Sequence, residues 1–215
     1  MSPQLVQNLV AVAIIILVAF PVHEFAHAFV AYRLGDATAK MFGRLTLNPV
    51  VHFDPLGGTL LAISAVVGGF FIGWAKPTPV NPYNLRYGRR GEVLVAVAGP
   101  LSNLLLAVIV AIPLRIILAN PEWRVLVGSN DAASFVFGVV ATFMDINIIL
   151  MIFNLLPIPP LDGWHALLGI LDARTAYTLR QYEQYGFILI LLFIFLGAPV
   201  VGGLVFQIER LLLGI

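Results

Sequence analysis

His23, Glu24 and His27 fall within five consecutive residues, His23-Glu24-Phe25-Ala26-His27. On a helix, positions i and i+4 share a face, so the two imidazoles can grip one zinc ion between them. The glutamate between them is then placed to take a proton from a water polarised by that ion. This is the chemistry of metal-assisted hydrolysis. The setting is unusual, because Leu9 to Val22 is apolar throughout and Ala28 to Tyr32 continues that character. Ionisable side chains in hydrocarbon are costly and mark functional positions by default. The pattern predicts a hydrolytic metal site buried in a membrane.

Composition supports the membrane half of that prediction. Of 215 residues, 60% are hydrophobic and 11% charged, against roughly 45–50% and about 25% in ordinary soluble domains. The mean hydropathy is +0.97. Lipid must cover much of so apolar a chain. A net charge of +1 argues against nucleic acid as a partner. With no cysteine, disulfides, thiol catalysis and thiolate zinc sites are excluded, so a metal must be held by imidazole and carboxylate. Met1 to Asn8 carries no basic residue, and no small-residue cleavage site follows Leu9 to Phe20, so the first apolar stretch reads as a retained span.

The elements that must position the motif come next. Five apolar segments stand out, at 5–32, 56–75, 93–119, 133–157 and 187–206. A spanning helix needs about 20 apolar residues, which four of them supply easily. The segment 56–75 contains Gly57, Gly58, Gly68, Gly69 and Gly73, which weaken a helix. Arg33, Lys40 and Arg44 lie before it, and Lys76, Arg86, Arg89 and Arg90 after it; the stretch 120–132 has Arg124 against Glu122 and Asp131. Basic loops favour the cytoplasmic side, and both lie there only if 56–75 enters and returns. Lys76-Pro77-Thr78-Pro79-Val80-Asn81-Pro82 cannot be helix and reads as extended chain, a strand edge or polyproline-like. Such an edge could accept a substrate strand; a structured loop covering the basic face is the simpler reading. The expected fold is an all-α polytopic membrane bundle of about four to five transmembrane helices. It adds a re-entrant segment and a short extended or β region on the cytoplasmic side, as one domain over residues 1–215.

Catalytic zinc usually has three protein ligands and one open position. Candidates for the third are His52, Asp54, Asp145, Asp162 and His165. Asp162 is the best of these physically. Pro157, Pro159 and Pro160 must break the preceding helix, and Gly163 frees the turn that follows. Irregular backbone at membrane depth is expected where it lines a site. With an uncharged N-terminus outside and 56–75 re-entrant, Asp162 arrives on the same side as the histidines. The alternative for Asp162 is a helix cap. Asp145 reads as a packing or ion-pair residue, and a hydrogen bond that supports a zinc histidine from behind is the other use for Asp145 and Asn147. Gly99 and Asn103 read as a close helix contact with an interhelical hydrogen bond.

Taken together, these residues resemble the site-2 protease family of intramembrane zinc metalloproteases. The resemblance rests on HEFAH at 23–27 and on Asn154 to Gly163, which is similar to that family's Asn-(x)-Pro-x-x-Leu-Asp-Gly signature. Ala98-Gly99-Pro100-Leu101-Ser102-Asn103 adds support, and Gly73-Trp74-Ala75-Lys76-Pro77 resembles the compact branch without a PDZ or CBS domain. It implies that His23, His27 and Asp162 bind one Zn²⁺, that Glu24 is the general base, and that Asn154 contacts substrate or oxyanion. An interhelical hydrogen bond is the other role open to Asn154. The expected partners are a transmembrane protein substrate and the lipid bilayer. The expected location is the plasma membrane, multi-pass, with the active site toward the cytoplasm. Two rivals are a metal-ion transporter or sensor, which has no need of a glutamate between the histidines, and a prenyl-peptide protease, whose third ligand is usually a later Glu.

Overall fold

The structure is a computed structural model describing residues 3–67 and 73–215, and among these it is helical without a strand. The first span, Leu5–Arg33, is one helical rod of 29 residues. It comprises α1 (Pro3–Ile14), a π turn at Ile15–Ala19, and α2 (Phe20–Arg33). Pro21 in the first turn of α2 has no N–H to return to Leu17. The widened turn before it, with Phe20 N–H bonding Ile15 O, absorbs that defect. π turns of this kind recur beside functional positions, and His23 follows four residues after its end.

After short helices at Thr38–Met41 and Pro49–His52 comes α3 (Pro55–Val67), of 13 residues. Its described residues are fewer than the about 20 that a span needs. Asp54 caps it, its Oδ1 accepting from Leu56 N (3.0 Å) and Gly57 N (2.8 Å). Gly57 and Gly58 do not break this helix. Their missing side chains admit the backbone of Trp74 and the ring of Phe53. Gly68 and Gly69 lie outside the described residues.

The chain from Gly73 to Asn81 has no regular secondary structure, so the expected β region is not found among the described residues. Three of the residues from 76 to 82 are prolines without an N–H. Three remaining donors bind elsewhere: Lys76 N to His52 O (2.8 Å), Thr78 N to Glu24 Oε2 (2.8 Å) and Asn81 N to Asp36 Oδ2 (2.7 Å). With three of its four N–H donors so engaged, this stretch has little left for a ladder. The segment instead ties the foot of α3 to the end of α2.

Three further spans complete the bundle: α4 (Arg89–Ala119), α5 (Asp131–Asn154) and the stretch Ala173–Leu213, whose long helix we label α7 (Gly186–Leu213). Asn120 caps the short helix Pro121–Ser129 that turns the chain between α4 and α5, and Asn130 caps α5. The short α6 (Asp162–Ile170) lies between α5 and the last span. At 31 residues, α4 is roughly 46 Å long at 1.5 Å per residue. It is the central post, packing on α2, α5, α6 and α7. Buried Ala107, Ala111 and Leu114 of α4 meet Met144, Ile148 and Met151 of α5. Small residues let helix backbones approach where apolar burial alone gives no drive between spans. The other core joins Ala11, Ile15 and Ala19 to Leu61, Ala65, Phe143 and Ile146. The last span keeps its apolar side chains outward, with Phe195 80% exposed, as a lipid-facing helix requires.

Candidate metal centre

His23 and His27 project from one face of α2 toward α4, and both are buried. Their rings stand edge to face, with centroids 4.7 Å apart and Nε2 atoms 3.0 Å apart. Asp162 arrives from the far end of the chain. Pro157, Pro159 and Pro160 end α5, and a run of tight turns delivers Asp162 as the first residue of α6. Gly163 packs against the carbonyls of Leu155 and Leu156, a contact that a β-carbon would prevent. At the other end of α6, Gly169 rests on α4, and the Arg89 guanidinium donates to Leu168 O. Trp164 Nε1 donates to Glu183 Oε1 (3.1 Å), tying α6 to the foot of the last span. The aspartate is held from three directions.

Its Oδ2 lies 3.1 Å from His23 Nε2 and 3.3 Å from His27 Nε2. Ligand atoms about 2.0–2.1 Å from a tetrahedral zinc lie about 3.3–3.4 Å from one another. The three atoms fit such a centre. Asp162 Oδ2 is buried without a hydrogen-bond donor, as a ligand oxygen would be. The N-cap of α6 is Leu161, and Asp162 makes no side-chain cap, so the capping alternative is not what its carboxylate does here. A β-carbon on Gly99 of α4 would overlap His27 Nε2, so the helix backbone forms the back wall of the space between the ligands.

Both histidines are oriented through Nδ1: His27 to Val95 O (2.7 Å) and His23 to Asn103 Oδ1 (2.5 Å). Each acceptor is an oxygen, so each Nδ1 carries the proton, and in the neutral ring each Nε2 then presents a lone pair. The interhelical hydrogen bond expected of Asn103 is present, to Asn147 and to His23, but the sequence did not show that its partner would be one of the site's histidines. Its signal was present, however: a polar amide within a span that must find a partner. Glu24 is buried on the same helix. Its Oε2 accepts from Thr78 N, and its own backbone oxygen accepts from Thr78 Oγ1 (3.0 Å).

The remaining candidates fall elsewhere. Among the described residues, His23, His27 and Asp162 form the one cluster of three or more such side chains able to share a metal. Asp54 caps α3. His52 is buried with Nε2 on Thr46 O (2.8 Å), and His165 is exposed. Asp145 is half-buried on α5, within electrostatic reach of Glu209. Asn154 ends α5 with its Nδ2 bonded to Leu150 O (2.9 Å).

Comparison with known proteins follows the same lines. The sequence profile of Peptidase family M50 matches residues 10–122 and 123–198. A Bacillus subtilis protein named "Putative zinc metalloprotease YwhC" is 42% identical over 181 residues, covering 83% of this chain and 77% of that protein. The similarly named Rip2 of Mycolicibacterium smegmatis is 34% identical over 177 residues, covering 81% of this chain and 62% of its own length. Rip2 of Mycobacterium tuberculosis strain H37Rv is 33% identical over 195 residues, covering 89% and 68% respectively. No solved structure matches at a significant level.

Proposed function

Because the chain belongs to peptidase family M50, the site-2 proteases, we propose that it is an intramembrane zinc endopeptidase hydrolysing peptide bonds within or near transmembrane segments. The observation that carries this reading is the meeting of His23 Nε2, His27 Nε2 and Asp162 Oδ2 within 3.3 Å, from opposite ends of the chain.

His23, His27 and Asp162 would hold one zinc ion. When bound there, it supplies Lewis acidity, polarising the scissile carbonyl and lowering the pKa of water toward about 7. Glu24 takes the proton from the attacking water and hands it to the leaving amide nitrogen. Thr78 N–H holds one carboxylate oxygen of Glu24 in place for that exchange. Asn154 is the candidate donor to the substrate backbone or oxyanion, which requires its Nδ2 to leave Leu150 O. The substrate must present an extended peptide, since a helix keeps its carbonyls in its own hydrogen bonds. A transmembrane segment that unwinds locally meets that need.

We also read residues 1–215 as one domain in the plasma membrane with its active site toward the cytoplasm. Support for the re-entrant path of 56–75 comes from its two ends: Lys76 N bonds His52 O, and Gly73 packs on Leu61 and the Gly57 backbone. Both basic loops then share a side, the pattern of cytoplasmic loops.

The decisive experiment is Glu24→Gln, assayed on a membrane-embedded reporter alongside zinc content. Cleavage is expected to disappear while zinc stays near the wild-type level. Retained cleavage would sink the mechanism.

A further inference from the structure

Asn103 of α4 and Asn147 of α5 are both 0% exposed, each inside a spanning helix, and neither is among the metal-binding atoms. We propose that they form a directional relay from the Phe143 carbonyl that fixes the tautomer of His23 and keeps its Nε2 free for the metal. The proposal rests on the zinc-site reading of His23, His27 and Asp162.

The direction follows from which groups can only accept. Phe143 O is a backbone carbonyl and has no proton to give. Asn147 Nδ2 donates to it (2.8 Å), so the other end of that amide, Oδ1, must face α4. An oxygen there needs a donor, and Asn103 Nδ2 supplies it (2.9 Å). Asn103 is thereby turned with Oδ1 toward α2, where His23 Nδ1 lies 2.5 Å away and must carry its proton. Flipping Asn147 would set its oxygen against Phe143 O and its N–H groups against those of Asn103, and flipping Asn103 would set its oxygen against Asn147 Oδ1, in a place that water does not reach. A buried polar group without its partner is costly, so the three links hold or fail together.

The two histidines thus reach the same state by different means. His27 finds a backbone acceptor directly, Val95 O of α4. His23 is tied instead to two side-chain amides, which carry the acceptor character of a carbonyl on α5 across α4 to α2. Groups behind a ligating histidine set its tautomer and basicity, and their loss typically lowers metal affinity by about 10- to 100-fold. Asn147 is a positioning residue two side chains removed from the ligand it serves.

The test compares zinc release to a chelator, and the visible spectrum of the cobalt-substituted protein, in detergent-purified wild type and three variants. Asn147→Leu is expected to release zinc roughly 10- to 100-fold faster and to alter the cobalt bands. Asn147→Asp should restore slow release, because a buried, protonated carboxyl donates to Phe143 O and still accepts from Asn103. Ile148→Val, equally buried beside the relay, should release zinc like the wild type. Wild-type release from a folded Asn147→Leu, or equal loss from Ile148→Val, would overturn the proposal. Nitrogen-15 NMR of the wild-type imidazoles, with His23 assigned by its absence in His23→Asn, decides independently of any variant's folding. Protonated Nδ1 with bare Nε2 supports the relay, and a proton on Nε2 of His23 rules it out. Cleavage is not among these readouts. A wild type that behaves as expected but cuts no reporter removes the protease reading and leaves the relay standing.

Discussion

Gly99 of α4 faces His27 of α2 so closely that a β-carbon at position 99 would overlap His27 Nε2 and lie 2.5 Å from His23 Nε2. The glycine therefore shapes the candidate metal site although it offers no ligand. In a helix interior, Gly→Ala normally stabilises by roughly 0.5–1 kcal/mol. Gly99→Ala is expected to do the opposite for the site, with zinc content falling at least about tenfold and helix content unchanged. Elemental analysis beside circular dichroism checks this, and wild-type zinc in the variant would refute the geometry.

Thr78 makes two contacts with Glu24 that substitutions can separate. Thr78→Ala removes the hydroxyl but keeps the N–H on the carboxylate, so kcat should fall by less than about tenfold. Thr78→Pro removes that N–H and should lower kcat by roughly 10²-fold, the loss expected of a misplaced general base, with zinc retained. Equal activity in the two variants would show that the backbone bond does not position Glu24.

Asp36 joins the turn after α2 to the chain beyond α3. Burial pushes its carboxyl up, but bonds from the Thr38 hydroxyl, Asn81 N–H, Asn84 amide and Thr38 N–H outweigh this and hold it below the usual carboxylate range. A depressed folded value means stability that is full above the unfolded pKa of about 3.9 and is lost as pH falls through the folded value. Asp36→Asn should therefore be less stable at neutral pH, by roughly 1–3 kcal/mol, with the gap closing below about pH 4. Unfolding midpoints across pH 3–8 measure it. A gap independent of pH would remove the charge from the explanation.

Single cysteines can be read without background in a chain that has none. Arg86 and Arg124 are both exposed, at opposite ends of α4. A cysteine replacing Arg86 should resist an impermeant thiol reagent in intact cells and react only once the membrane is opened. One replacing Arg124 should react from outside. The reverse pattern would invert the orientation proposed for the site.

Much of this was legible in the sequence because the bilayer imposes a strict rule. Polar side chains are so costly in hydrocarbon that His23, Glu24, His27 and Asp162 each stood out individually. The proline run before Asp162 likewise announced the end of α5 and a break that had to line something. The spans were readable by length and apolarity, and four helices long enough to cross a membrane are present. The strand edge that was one reading of 76–82 is not formed among the described residues, for a local reason. Its donors bind Glu24, Asp36 and the His52 carbonyl, partners remote in sequence.

The chain's own order of residues marked the candidates for the chemistry and the segments apolar enough to enter the membrane, since both follow from residue type and local spacing. Only the tertiary structure decided who stands behind them. Asn103 and Asn147 are 44 residues apart and looked alike as polar residues in spans. Their direction depends on a carbonyl of one helix facing an imidazole of another, across a third. Hydrogen-bond polarity of that kind is a property of packed neighbours, and hydropathy carries no record of it.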